Sequence, residues 1–524
     1  MKMESETISK ESIKPSSPSP NDNKTMKMEA EIISKEFIKP SSPTPNHKKT
    51  YNLSLLDQIV PPIYVPLVFY FPNPQNLSQI TPQLQQSLST TLSHFYPLAG
   101  RLKDSLSVDC NDEGIAFVVA KFAYSLSTFL RNPDAAASRC HIPTPLTWAE
   151  PGPGSPVAMA QLSHFACGGV AVGVLILHKV ADGVAIGSFV KSWARATIAG
   201  LAPVPVAALA PPDYAAQLLF PHNESMRREE HLFSAMKRYF GFGKTTMRRY
   251  VFDAESISRL RARLSEQGTS RPTRVETVSA FLWKCFMTAS AGGGGVSLVT
   301  HGVNMRRKSE PPLSENSFGN HVWLVPASSE NGEADRDLKA LFSKVREAIV
   351  KVDVEFVERM KGDVGFAGYC TNLEDSLSAF PEKADYLAIS SWCNFGIYDV
   401  DFGWGRPVWV TKCDGGSDVE WPFINVLWLI DTREGDGVEA WLTLEQRCFE
   451  EFDKIKEVAD FALIDPSPLE KFDKIKEVGD HALIDPSPLK KLDKIEEVGD
   501  HALIDPSPLE IIQTSVLSNG MVKS

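Results

Sequence analysis

Leu175-Ile176-Leu177-His178-Lys179-Val180-Ala181-Asp182-Gly183 closes an apolar run that begins at Val170. This run continues for eight residues without a polar side chain, which predicts a buried strand over 170–177. The strand delivers His178 at its end, and a carboxylate and a glycine follow. Because catalytic groups tend to lie on loops held by a rigid scaffold, this arrangement puts a potential general base at the mouth of a strand.

The spacing His-x-x-x-Asp is weak evidence taken alone, because the chain contains it twice more, at His481 to Asp485 and at His501 to Asp505. Those two pairs lie in copies of a 20-residue repeat whose first copy has Phe461 at the histidine position. A histidine that alternates with phenylalanine among near-identical copies is a poor candidate for catalysis. We therefore expect His178 to be the catalytic histidine of the three.

Composition narrows the class of protein. The 524 residues carry a formal charge of −11, and residues 450–510 alone hold 17 acids against 8 bases. No basic face is evident, so we expect no nucleic-acid partner. The eight cysteines show no Cys-x-x-Cys and no zinc spacing, the N-terminus is polar, and the longest apolar run is too short to span a bilayer. We expect a soluble, cytoplasmic protein without a membrane or metal partner.

Repeats frame both ends of the chain. Residues 2–18 recur at an offset of 25, and residues 452–468 recur at offsets of 20 and 40. We expect only the copies next to the core to pack. The expected organisation is a duplicated, disordered segment at 1–26, a lobe at 27–198, a crossover linker at 199–235, a lobe at 236–468 and a repeated acidic tail at 469–524.

Between these ends, strand-like and helix-like stretches alternate without a regular period. Mixed order of this kind predicts an α+β (α/β mixed) chain with mixed sheets rather than a doubly wound sheet. The predicted strands are 66–71, 114–120, 170–177, 296–303, 408–410, 424–430 and 440–444, and the predicted helices are 81–95, 184–194, 275–287 and 334–358.

Further segments strengthen the case for His178. They are Asp401-Phe402-Gly403-Trp404-Gly405, Leu53-Ser54-Leu55-Leu56-Asp57, Tyr96 to Arg101, Val303-Asn304-Met305-Arg306, Phe318-Gly319-Asn320 and Ser390-Ser391-Trp392. With them, residues 27–468 resemble the plant BAHD acyl-CoA-dependent acyltransferases, and the opening at 38–45 is typical of the vinorine synthase-like group. The resemblance implies a monomer with two chloramphenicol acetyltransferase-like lobes and a channel between them.

The resemblance also implies residue roles, with His178, Asp182, Ser390 and Trp392 as the catalytic set. His178 is then the general base, and a neutral imidazole suits that task at cytosolic pH. Asp182 either orients the imidazole or, as the resemblance favours, pairs with Arg306 and holds the loop. Ser390 and Trp392 would donate to the oxyanion, with a packed core position as the alternative for Trp392.

The resemblance implies a structural role for one further set of residues, and the chemistry of a helix N-terminus suggests a site for CoA. We expect Asp401, Phe402, Gly403, Trp404 and Gly405 to be structural, away from the channel and holding the second lobe together, and Gly183 to permit a tight turn. For CoA phosphates, we expect Thr273, Arg274, Thr277 and Ser279 at a helix N-terminus. Met247-Arg248-Arg249 and Lys237-Arg238 are the alternatives.

The implied activity is an acyl-CoA-dependent O-acyltransferase, with acetyl-CoA as co-substrate and no permanently bound cofactor. The acceptor would be a small-molecule alcohol such as an alkaloid or a terpenoid. Three alternatives stay open. They are an N-acyltransferase acting on an amine, an inactive paralogue that serves as a binding protein, and a metal hydrolase that uses His178 and Asp182.

Overall fold

The computed structural model describes residues 30–469, except 73, 75, 132, 134–136, 144–150, 202–210, 225–236, 265–270, 291–294, 333 and 414–416. The expected N-terminal segment 1–26, His481, His501 and nearly all of the tail therefore lie outside the described residues. Within the described ranges, no helix combines the length and the apolar character needed to cross a membrane.

The first large sheet has six strands in the order β1-β6-β7-β8-β3-β13. Seven of the eight residues of β3, and all eight of β8, are buried, as expected for strands covered on both faces. The first five are β1 (Ala30–Ile38), β3 (Tyr64–Phe71), β6 (Ile115–Phe122), β7 (Ala158–Phe165) and β8 (Val170–Leu177). The sixth, β13 (Trp409–Thr411), comes from far along the chain and pairs with β3.

The second large sheet has eight strands, in the order β11-β10-β12-β15-β16-β9-β14 with β17 beside β9. Parallel pairs join β10 to β12 and β12 to β15, and the other pairs are antiparallel. The prediction of mixed sheets is confirmed. The strands are β9 (Gly241–Phe252), β10 (Val296–Asn304), β11 (Val322–Glu330), β12 (Asp385–Ser391), β14 (Ser417–Phe423), β15 (Asn425–Asp431), β16 (Val438–Glu445) and β17 (Leu463–Ile464). A small sheet holds β2 (Thr50–Asn52), β4 (Arg101–Leu102) and β5 (Ser107–Asp109).

Helices cover the two large sheets. They are α1 (Leu55–Gln58), α2 (Leu77–His94), α3 (Leu126–Arg131), α4 (Gly183–Leu201), α5 (Ala216–Leu219), α6 (Ala254–Leu264), α7 (Arg274–Ala289), α8 (Leu338–Val350), α9 (Val354–Glu358), α10 (Gly365–Ser378), α11 (Gln446–Phe452) and α12 (Lys456–Phe461). The stretch 334–358 is largely helical as predicted, but it is not one continuous helix. Asp337 and Asp353 each cap a new helix with their side chains, so the stretch divides into α8 and α9.

The chain crosses between the two cores. Most of the buried residues from Trp392 to Cys413, which follow β12, pack into the core of the first sheet, although β12 and β15 on either side belong to the second. Strand β13 belongs to this crossing segment. The second sheet therefore contributes a strand and several aromatic side chains to the first, and this interlocks the two halves of the molecule.

The first copy of the C-terminal repeat packs on the second sheet. Phe461 is buried, with its ring centroid 5.4 Å from that of Phe281 and with the guanidinium groups of Arg259 and Arg263 over its face. Ser467 Oγ then donates to the carbonyl of Leu130 at 2.9 Å. Phe461 thus packs between an aromatic ring and two guanidinium groups. Histidine stands at the same repeat position in the later copies, which supports a role in packing rather than in catalysis for that position.

Candidate active site

His178 is the residue immediately after β8, and its backbone N–H continues the sheet by donating to Ile63 O at 2.8 Å. The ring is partly exposed and faces a cavity that opens to solvent. Both large sheets contribute to the wall. The lining residues are His178, Asp182, Gly183, Val184, Gly302, Asn304, Val322, Ser390, Ser391, Trp392 and Phe395. The imidazole is therefore reachable and is not sealed within packed hydrocarbon.

Asn320 holds the imidazole in place. The Nδ1 of His178 lies 3.1 Å from Oδ1 of Asn320, and Nδ2 of Asn320 donates to the carbonyl of His178 at 2.9 Å. Sequence reasoning identified Asn320 only as part of a segment that resembles a family motif. Its contact with His178 joins residues 142 positions apart, so no local pattern could have revealed it.

Burial lowers the pKa of His178 below its usual value of 6.5. Hydrogen bonding and the charge of Asp182 oppose this shift, whereas the charge of Lys412 adds to it. The net effect keeps the imidazole neutral at neutral pH, which is the state that can accept a proton.

Asp182 does not orient His178, which corrects its placement in the catalytic set. Its carboxylate accepts from the Arg306 guanidinium at 2.7 and 3.0 Å and from the backbone N–H groups of His321 and Ala185 at 2.9 and 3.0 Å. Arg306 is fully buried. Asp182 thus caps the start of α4 and anchors the turn after His178, as the arginine pairing implied.

Ser390 and Trp392 lie two residues apart at the end of β12, so their side chains point to the same face. Both line the cavity, and within the described part of the chain neither the Ser390 hydroxyl nor the Trp392 indole N–H has a hydrogen-bond partner. The indole is otherwise packed, with its centroid 5.6 Å from that of Trp428. The structure therefore brings two unused donors into the cavity of His178.

A glycine is needed at position 183 for a different reason from the one expected. It is the first residue of α4 and its backbone is not in the left-handed region, so no tight turn requires it. A Cβ at this position would instead lie 2.5 Å from Cε2 and 2.8 Å from Nε1 of Trp392. The missing side chain allows the indole to lie directly on the start of α4.

We expect Gly183→Ala to lower kcat by about 10²-fold, because a displacement of the indole on the scale of 1 Å costs this much in a positioned site. Steady-state kinetics check this. Gly302→Ala is the matched control, since this cavity glycine would place its Cβ no closer than 3.6 Å to any neighbour. Equal losses in both variants would contradict the role given to Gly183.

The expected CoA site at the start of α7 does not fit a phosphate. Thr273 caps the helix together with the carboxylate of Glu276, so the backbone N–H groups of Thr273 and Glu276 are occupied and a negative charge is already present. Thr277 and Ser279 are fully buried, and the Thr277 hydroxyl donates to Thr273 O at 2.7 Å. The structure argues against these residues as phosphate ligands.

Arg274 is committed to partners within the protein. Its guanidinium donates to Asp431 at 2.9 Å, to Asn394 at 3.2 Å and to the carbonyls of Gly435 and Gly437. Of the alternatives, Arg248 pairs with Asp453 and Arg249 with Glu439. Lys237 and Arg238 are exposed at the surface.

The segment Asp401 to Gly405 lies outside the cavity wall, as expected, but it packs on the first lobe rather than holding the second together. Phe402 and Trp404 contact Phe71 of β3, with ring centroids 5.8 and 5.4 Å away, and Phe402 also contacts Trp193 of α4 at 5.2 Å. Asp401 Oδ1 shapes the loop by accepting from the backbone N–H groups of Gly403, Trp404 and Gly405.

A metal hydrolase would need at least a third ligand beside His178 and Asp182. Among the described residues, no group of three or more His, Cys, Asp and Glu side chains is arranged to hold a metal ion.

The chain is similar to known proteins over most of its length. The family model described as Transferase family matches residues 28–459. Limonoid 7-O-acetyltransferase of Citrus sinensis is 40% identical over 89% of this chain and 100% of its own length. Vinorine synthase of Rauvolfia serpentina is 34% identical over 84% of this chain and 94% of its own.

Solved structures show the same fold. The crystal structure of vinorine synthase matches with a TM-score of 0.68 at 30% identity, covering 83% of this chain and 98% of that one. F. graminearum TRI101, complexed with coenzyme A and T-2 mycotoxin, matches with a TM-score of 0.61 at 18% identity over 79% and 99%. The expected two-lobed, chloramphenicol acetyltransferase-like fold is confirmed.

Proposed function

Since this chain belongs to the Transferase family of BAHD acyl-CoA-dependent acyltransferases, we propose that it transfers an acetyl group from acetyl-CoA to the hydroxyl of a specialised metabolite. The observation that carries the proposal is the shared cavity. It brings a partly exposed, neutral imidazole together with two unused hydrogen-bond donors on another sheet.

The reaction needs one base and no covalent acyl-enzyme. His178 Nε2 removes the hydroxyl proton of the acceptor as the oxygen forms a bond to the thioester carbonyl carbon. The oxyanion that results accepts hydrogen bonds from Ser390 and Trp392. When the C–S bond breaks, the imidazolium of His178 returns its proton to the departing CoA thiolate, which leaves the ester and free CoA.

We propose a neutral alcohol as the acceptor. Of the described residues that line the cavity, Asp182 is the one acid, and Arg306 neutralises it. Val184, Val322 and Phe395 add apolar surface. A protonated amine would lose its hydration there without gaining an ionic partner. This supports a neutral alcohol such as a terpenoid over a cationic alkaloid, and one relative is named for the acetylation of a limonoid.

A substrate panel tests the proposal. Purified protein is incubated with acetyl-CoA and matched sets of neutral terpenoid alcohols, alkaloid alcohols bearing a basic amine, and primary amines. Thiol release and product mass are measured. We expect ester formation and thiol release to occur together with the neutral alcohols. Amide products would favour the N-acyltransferase, and no turnover with any set would favour the binding protein.

The pH dependence tests the state of His178. Because burial lowers its pKa, we expect kcat/KM to fall toward low pH with a midpoint below 6.5, as the imidazole becomes protonated. Initial rates in buffers of constant ionic strength measure the profile. A midpoint at or above pH 6.5 would contradict a base whose pKa is lowered.

We also propose that residues 27–198 and 236–468 form the two lobes and that 199–235 connects them. Support comes from the two large sheets, each with its own hydrophobic core. The crossing segment that carries β13 qualifies this division, because it places part of the second lobe's chain within the first core.

A further inference from the structure

The carboxylate of Asp57 is fully buried and divides its two oxygens between two tasks. Oδ2 accepts from the backbone N–H and the hydroxyl of Ser54, at 3.0 and 2.8 Å. Oδ1 accepts from the backbone N–H and the side-chain Nδ2 of Asn320, at 2.7 and 2.9 Å. Gly319, with φ of +116°, gives the chain the left-handed turn that wraps it around the carboxylate.

The contact with Asp57 determines which way the Asn320 amide points. An ionised carboxylate only accepts hydrogen bonds, so the amide must present its NH2 group to Oδ1. The same NH2 group also donates to the carbonyl of His178. The amide oxygen is then left facing Nδ1 of His178, 3.1 Å away.

The amide orientation in turn determines the tautomer of His178. An amide oxygen is only an acceptor, so Nδ1 must carry the proton that it donates to Asn320. The neutral ring has one N–H, and Nε2 is therefore left with its lone pair. This is the tautomer that can take a proton from an acceptor hydroxyl.

Asp57 also has a purely local role, because it completes the capping box of α1 with Ser54. That role uses Oδ2 and leaves Oδ1 unexplained. A second feature links the same turn to the base. The ammonium of the buried Lys179, next to His178 in the chain, donates to the carbonyls of Gln58 and Val60 at 3.1 and 3.2 Å.

We propose that Asp57 is a positioning residue for the general base, and that it acts through Asn320 to hold His178 with its proton on Nδ1 and its lone pair on Nε2. Asp57 thereby takes the orienting task that Asp182 does not perform. The inference rests on the proposed function of His178, but the tautomer is measurable without any substrate.

The experiment uses full-length protein with 15N-labelled histidine and observes the ring nitrogens by NMR at pH 7.5. The signals of His178 are identified by their loss in His178→Ala. In the wild type we expect one tautomer, protonated on Nδ1. In Asp57→Ala we expect a mixture of both tautomers and a kcat lowered by about 10–100-fold, the usual cost of losing an outer orienting partner.

Two matched controls separate positioning from helix capping. Ser54→Ala removes the capping partner and leaves Oδ1 with Asn320. Glu276→Gln alters the equivalent capping-box carboxylate of α7. Both should leave the tautomer of His178 unchanged. A single Nδ1-protonated tautomer in folded Asp57→Ala, or an equal change in Ser54→Ala, would overturn the proposal.

Asp57→Asn keeps the experiment decisive if the alanine variant does not fold. Its carboxamide can offer an NH2 group to Asn320, which lets the Asn320 amide turn over and present donors to Nδ1. We expect part of His178 then to carry its proton on Nε2, and an unchanged ring would overturn the proposal. Activity retained by His178→Ala would refute the proposed function but not the positioning role of Asp57, because the tautomer is measured without substrate.

Discussion

His178→Ala is expected to lower kcat for acetyl transfer by about 10²–10⁴-fold, the range typical of general-base catalysis. The loss should fall on kcat with little change in the KM for acetyl-CoA, because the imidazole acts on the acceptor hydroxyl in the transition state. The measurement is steady-state release of CoA at pH 8 with the best alcohol from the substrate panel.

His164→Ala is the control for this experiment. His164 is a partly buried histidine on β7, outside the cavity wall, whose Nε2 lies 3.5 Å from the hydroxyl of Thr81. This variant should keep near-normal rates. If both variants transfer acetyl groups equally well, His178 is not the base, and the shared cavity no longer supports the proposed mechanism.

Asp182→Ala is expected to lower the free energy of unfolding by about 3–5 kcal/mol, because it leaves the charge of Arg306 buried without its partner. Arg306 is 0% exposed, so water cannot replace the carboxylate. Two backbone N–H groups, of His321 and Ala185, lose their acceptor as well. Denaturant unfolding followed by circular dichroism measures the change.

The exposed pair between Arg307 and Glu315 is the matched control for the buried one. Its atoms lie 2.9 Å apart, but both side chains are more than half exposed. Removing Glu315 should therefore change the free energy of unfolding by no more than about 1 kcal/mol. A similar small change in Asp182→Ala would show that the buried pair does not hold the turn after His178.

The same ion pair makes stability depend on pH. Burial alone would raise the pKa of Asp182, but the charge and hydrogen bonds of Arg306 outweigh it and hold the pKa below its usual value. A lowered carboxyl pKa in the folded state stabilises the protein above the unfolded pKa, and this stabilisation is lost as the pH falls through the folded value. The contribution should be absent in Asp182→Ala.

Local sequence patterns were sufficient to predict the strand and the helix on either side of His178. The run 170–177 matches β8 residue for residue, and the helix predicted after Gly183 is the core of α4. Polar or irregular strands escaped prediction. Among them, β9 carries three cationic side chains over Gly241–Phe252, and it is a strand because its backbone groups pair with β14, β16 and β17.

Some residues of the candidate site were likewise predictable from the sequence, and others were not. A resemblance along the chain was enough to pair Asp182 with Arg306 and to nominate His178, Ser390 and Trp392. The CoA site expected at the start of α7 rested on local chemistry instead. That reasoning failed because Thr, Arg and Ser at a helix N-terminus suit a phosphate equally well before the cap and the burial are known.

The sequence by itself determined the strand, the histidine at its end and the family, since each is written in neighbouring residues or in ordered motifs. Only the tertiary structure decided which atoms meet. Asp57 reaches Asn320 across 263 positions, and Gly183 lies beneath an indole from Trp392. Hydrogen-bond direction and close packing depend on geometry within a few tenths of an ångström, and this geometry exists only after the two sheets have come together.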